Sequence, residues 1–121
     1  MNLEGIINIS GKSGLFKIIS KNKNNIIIES ISDGKRSTLN SNNNANLLEE
    51  IGIYTYEETK PLSEIFNDIA KKENSNKSIN HKSPNQQLIK YFREIVENYD
   101  EERVYISDIK KIIQWYNILY D

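Results

Sequence analysis

Apolar and polar residues alternate along the first half of the chain, whereas apolar residues recur every three or four positions along the second. In residues 14–21, GLFKIISK, Leu15, Lys17 and Ile19 alternate with Phe16, Ile18 and Ser20, and β-branched and aromatic residues are enriched. That is the pattern of a strand. The polar KNKNN stretch that follows suits a turn, because Asn tolerates left-handed backbone. Ile26, Ile27 and Ile28 then lead into Glu29-Ser30-Ile31, so two β-prone runs flank a short Asn-rich connection and predict a hairpin. Asp33-Gly34 predicts a second tight turn and KRSTLN a third strand. SNNNAN (41–46) predicts a loop anchored by Leu47 and Leu48, and GIYTYEE (52–58) a further alternating strand. Short strands and turns at this spacing predict a small half-open barrel of SH3-like type over residues 1–58. Leu3, Ile6 and Ile7 stand at helical spacing and predict a helical turn across one barrel mouth.

The remainder, residues 59–121, reads as a helical module. Pro61 marks its start, since the residue before a proline is pushed out of the helical region. Leu62, Ile65, Phe66 and Ile69 form one stripe, which predicts a helix over 61–72. The polar stretch KKENSNKSINHK (71–82) ends it. Ser83-Pro84-Asn85-Gln86 then resembles a capping box with proline at the first helical position. Leu88, Tyr91, Phe92, Ile95 and Val96 supply the apolar face of a helix over 84–98. Ser107-Asp108 caps a third helix over 107–119, with Ile109, Ile112, Ile113 and Tyr116 on its face and Trp115 beside it. Strands followed by helices give an α+β class by segregation.

Composition narrows the function. The 121 residues carry a net charge of -1 and no cysteine, which excludes a disulfide framework, a thiolate metal site and a cysteine nucleophile. A single histidine, His81, excludes a multi-histidine metal site. No apolar run approaches the roughly 20 residues that span a bilayer. MNLEGIINISGK has no basic leader before an apolar stretch, so a cytoplasmic soluble domain is the expectation. There are 21 Ile, 17 Asn and 13 Lys, a skew toward residues of A/T-rich codons. It counsels against reading chemistry into every Lys or Asn.

Three segments together, Ile9-Ser-Gly-Lys-Ser-Gly-Leu-Phe-Lys17, Glu29-Ser-Ile-Ser-Asp-Gly-Lys-Arg36 and Val104-Tyr-Ile-Ser-Asp-Ile-Lys-Lys111 with Trp115-Tyr116-Asn117, resemble a family of small uncharacterised cytosolic Bacteroidetes proteins. The resemblance implies a β N-terminal part and a helical C-terminal part over nearly the whole chain, with no assigned activity, cofactor or substrate. Ser13 stands where the family is expected to carry Pro, which loosens the turn without changing its course.

Catalytic patterns are weak. Gly11-Lys12-Ser13-Gly14 contains GKS, but a phosphate-binding P-loop needs a further glycine where Ile6 stands and a helix where GLFKII follows, so it reads as a turn. Glu49-Glu50, Glu57-Glu58 and Asp100-Glu101-Glu102 read as solvated turns, and Asp108 as a partner of the last helix's dipole. His81 sits in the most polar stretch and reads as a loop residue. No catalytic residue, cofactor or metal site is expected. Two binding features remain. Lys12, Lys17, Lys21, Lys23, Lys35 and Arg36 face only Glu29 and Asp33 within residues 11–40, six positive charges less two negative, a net +4. If one hairpin side gathers them, RNA or a ribosome becomes a candidate partner, although a nucleic-acid footprint normally accompanies a domain pI above about 9 and this chain has pI ≈ 5.9. Tyr105, Trp115, Tyr116 and Tyr120 form an aromatic concentration that closes a small core or presents a protein interface. The expected function is that of a non-enzymatic binding or scaffold protein, with an RNA- or ribosome-associated accessory protein as the alternative and a small hydrolase as the second. The partner and the oligomeric state are left open by the sequence.

Overall fold

A computed structural model describes residues 2–23, 25–40 and 42–120. The chain divides into two compact units, Asn2–Ile51 and Gly52 onward. The class is α+β: one five-stranded antiparallel sheet, then three helices.

In the first unit, β1 (Ile6–Ile9), β2 (Phe16–Lys21), β3 (Ile26–Ser30), β4 (Arg36–Leu39) and β5 (Ala45–Leu47) lie in the order β4-β3-β2-β1-β5. A 3₁₀ turn, Leu48–Glu50, follows. The sheet is open, with β4 and β5 as its two edges, so no closed barrel forms. The expected helical turn around Leu3, Ile6 and Ile7 is instead strand β1. Ile6 pairs with Lys17 and Ile7 with Phe16, so neighbouring isoleucines point to opposite faces, and a one-sided helical stripe has no role there. Ile7, Ile9, Phe16 and Ile28 are buried in one cluster, joined by Ile18, Ile26, Leu39 and Leu47. These residues share the inner face of the sheet. Fully burying one such side chain contributes about 2 kcal/mol, so a one-residue slip of β3 that turned out Ile28 would forfeit about 2 kcal/mol.

The GKSG segment is the β1–β2 turn that the sequence predicts. Gly11 and Gly14 sit at φ 84° and 78°, a region that side chains rarely adopt. In the β3–β4 turn the Asp33 carboxylate accepts the Lys35 N–H at 2.9 Å, and this bond holds the Asp33 carboxyl below its ordinary range.

The second unit begins where β6 (Gly52–Ile53) pairs with β7 (Lys60–Pro61). The expected strand over 52–58 is therefore only two residues long and stands outside the five-stranded sheet, and the division between units falls after residue 51 rather than 58. Three helices follow: α1 (Leu62–Lys72), α2 (Asn85–Ile95) and α3 (Ile106–Leu119). Leu62, Ile65, Phe66 and Ile69 are all buried, as their spacing predicts. Pro84 stands at the cap position of α2, which has no side-chain cap bond, and its carbonyl accepts the N–H groups of Gln87 and Leu88. Helix α2 ends at Ile95 rather than 98 because Val96, at φ -122°, leaves the helical region. Tyr99 then packs edge-on against Phe92, with ring centroids 5.1 Å apart. Helix α3 starts at Ile106, and Asp108 serves its first turn by accepting the Tyr105 N–H at 2.9 Å. Among the described residues no helix is long and apolar enough to cross a membrane.

Candidate interaction surfaces

Cross-strand partners project to the same face of a sheet, so register decides where each basic residue stands. Lys17 pairs with Glu29, and Glu29 with Arg36. The three form one row on the outer face, with an acid between the two cations. Between Ile18 and Ser20 a bulge adds a residue, after which Ser20 pairs with Ile27 and Lys21 with Ile26. Ile26 in turn pairs with Leu39 on the inner face. Lys21 thus stands on the opposite side from Lys17, and the expected single basic hairpin side is divided by the bulge. Lys21 and Lys23 border a hollow of about 420 Å³ floored by Ile26 and Leu39. Lys12 belongs to the β1–β2 turn and Lys35 to the β3–β4 turn, both exposed.

The expected aromatic group is also divided. Trp115 and Tyr116 are buried; Tyr116 packs edge-on against Phe66 with centroids 6.0 Å apart and stacks on the half-buried Tyr120 at 6.3 Å. Its hydroxyl donates to the Asn76 carbonyl at 2.8 Å. Burial, with the nearby Glu73 carboxylate second, holds the Tyr116 hydroxyl above its ordinary pKa. These two rings close the core. Tyr105 is 64% exposed.

A further pair of aromatic residues, Tyr54 and Tyr56, is exposed at 47% and 62% on a segment that is firmly braced. Thr55 between them is buried and bridges to Tyr99. The Thr55 hydroxyl accepts the N–H groups of Glu57 and Glu58 and donates to the Glu58 carbonyl. Tyr56 N–H donates to the Asn98 carbonyl at 3.0 Å, and Asp100 N–H to the Tyr54 carbonyl at 2.9 Å. The Arg103 guanidinium lies 4.3 Å from the Tyr54 ring centroid and donates to the buried Asp100 carboxylate at 2.8 Å. That bond holds the Asp100 carboxyl below the usual carboxylate range. Glu57, Glu58, Glu101 and Glu102 are exposed on the same two segments. The alternation Ile53 in, Tyr54 out, Thr55 in, Tyr56 out was present in the sequence; its pairing with residues 98–103 was not. No group of His, Asp and Glu among the described residues is placed to hold a metal ion.

The model of a family described as Domain of unknown function (DUF6852) matches residues 51–119, more than half of the chain. The chain belongs to this family. A second model, Domain of unknown function (DUF5606), matches residues 3–48, so the two matches meet where the compact units divide. A solution NMR structure of a structural-genomics target from Bacteroides vulgatus is similar at 42% identity, covering 98% of this chain and 86% of that one, with a TM-score of 0.80. No curated protein matches. These similarities agree with a Bacteroidetes family that has a β N-terminal and a helical C-terminal part. The braced tyrosines belong to the DUF6852 part.

Proposed function

We propose that the protein is a non-enzymatic, protein-binding module, and that its contact surface is formed by Tyr54, Tyr56 and Arg103. The observation that carries this reading is two large, exposed rings held on a segment whose backbone is already fixed by bonds to Asn98 and Asp100. Tyr and Arg are over-represented among residues that dominate binding energy, and rigid rings lose little conformational entropy on contact. Glu57, Glu58 and Glu102, exposed and in no ion pair among the described residues, favour a partner segment rich in Lys or Arg. Tyr105, exposed two residues beyond Arg103, extends the same chain segment. The first unit is read as an SH3-like barrel left open between β4 and β5, supported by its strand order, and acts as the scaffold. RNA or ribosome association through Lys17, Lys21, Lys35 and Arg36 is the less favoured reading, because Glu29 interrupts the outer row and Lys21 stands on the other face.

The test places a photo-reactive phenylalanine at position 56 of the full chain in its own cells. The expected result is one covalent protein adduct that resists nuclease and disappears when Y54A and R103A are added. Adducts that are unchanged by those substitutions refute the surface. Adducts that vanish with nuclease, or on neutralising Lys17, Lys21, Lys35 and Arg36, replace it with the RNA reading.

A further inference from the structure

Residues 76–82 have the composition of a loose linker, yet they are tied to α3. Asn117 Oδ1 accepts both the N–H and the hydroxyl of Ser78, at 2.8 and 2.9 Å, and its Nδ2 donates to the Ile79 carbonyl at 3.0 Å. Asn80 closes the following turn: its Oδ1 accepts the Lys82 N–H at 2.8 Å and its carbonyl accepts the Ser83 N–H at 3.0 Å. This fixed turn and α3 border an open hollow of about 490 Å³, within the size range of small-molecule sites. Lys77, His81 and Lys82 line it from the loop, while α3 contributes the side-chain amides of Gln114 and Asn117. Among the described residues no carboxylate lines it and neither lysine belongs to an ion pair. Two lysines on one ordered turn, with no counter-charge among the described residues, make a site that an anion completes.

We infer that this hollow binds a small phosphate monoester, with its dianionic group between Lys77 and Lys82 and the remainder hydrogen-bonded by the Asn80 and Gln114 amides. A dianion matches two exposed lysines carried on one turn, and the volume exceeds what a bare inorganic ion fills. The site is separate from the tyrosine surface, and its failure would leave that surface unaffected.

The experiment is an NMR titration of the full chain at low salt with adenosine 5′-monophosphate. Saturable shifts of the 77–83 backbone amides and of the Gln114 side-chain amide are expected, and adenosine alone should leave them in place. K77A with K82A should weaken the affinity at least about tenfold, the scale set by losing a charged hydrogen bond, while signals elsewhere stay unchanged. H81Q reports the contribution of the imidazole ring by a smaller loss. Shifts that rise linearly without saturating, or that survive the double substitution, overturn the inference. Equal binding of a dinucleoside monophosphate, which offers only a phosphodiester, overturns the monoester assignment.

Discussion

Asn117→Ala cuts the tie between residues 76–82 and α3, and the structure sets the size of the effect. Three hydrogen bonds are lost, all half-buried: two accepted from Ser78 and one donated to Ile79. Each contributes about 0.5–1.5 kcal/mol net, giving about 1.5–4.5 kcal/mol before compensation. The Ser78 hydroxyl keeps its bond to the Ile79 carbonyl at 3.2 Å, so the lower half of that range, about 2 kcal/mol, applies. Alanine returns about 0.5 kcal/mol through its better helix propensity. The expected net loss is therefore about 1.5 kcal/mol. Trp115 is buried in the second unit, so urea unfolding followed by its emission reports that unit. Asn117→Asp provides a second variant: it keeps both acceptors, loses the donor, and sets a carboxylate oxygen against the Ile79 carbonyl. Hydrogen exchange at the Ser78 amide should accelerate in Asn117→Ala, and less in Asn117→Asp, which keeps that amide's acceptor, if the tie holds the loop closed. A loss of stability below about 0.5 kcal/mol together with unchanged Ser78 exchange would refute the reasoning.

Three other substitutions have expected outcomes. Tyr91 is buried and its hydroxyl donates to the Glu73 carboxylate; burial first, and that carboxylate second, raise its pKa above the ordinary 10.0. The folded state then keeps a proton that the unfolded state releases, so stability is full below pH 10 and falls above it. Y91F should flatten that alkaline decline by about 1.4 kcal/mol per pH unit, as measured by denaturation at pH 9 to 11, and an unchanged slope counts against the pairing. Ser75 adopts φ 63° just after α1, where its N–H donates to the Ala70 carbonyl at 2.7 Å. Relief of about 1–2 kcal/mol of left-handed strain, less about 0.5–1 kcal/mol of added unfolded-state entropy, predicts that S75G gains about 0.5–1 kcal/mol and raises the melting temperature. Gly52 pairs with Pro61, and a Cβ there would collide with the Thr59 side chain; G52A should cost about 1–3 kcal/mol, and adding T59S, which removes the Thr59 methyl, should recover part of it.

Much of this fold is legible in the chain itself, and the losses have local causes. The α1 stripe of Leu62, Ile65, Phe66 and Ile69 is buried as its period requires, because a one-sided helix has one solution to hiding its apolar face. Ile6 and Ile7 misled because a strand buried on both faces shows no alternation. The bulge between Ile18 and Ser20 carries no residue signal: no glycine or proline stands there, and the extra residue is revealed only by the register with β3. The tie of Asn117 to Ser78 spans 39 positions and obeys no local period. The tyrosine surface was half-legible, its in–out alternation being readable at 53–56 while its partner segment was not.

The bulge also bears on how this protein tolerates its own composition. In an unbroken strand Lys17 and Lys21 would point the same way, and each further lysine at that spacing would deepen one positive face. The extra residue reverses the parity of the strand half-way along, so the accumulating cations are shared between two faces, one of them already interrupted by Glu29. Codon-driven enrichment in lysine can then alter the net charge without assembling an adventitious polyanion trap. Backbone register acts here as a filter between genome composition and surface chemistry.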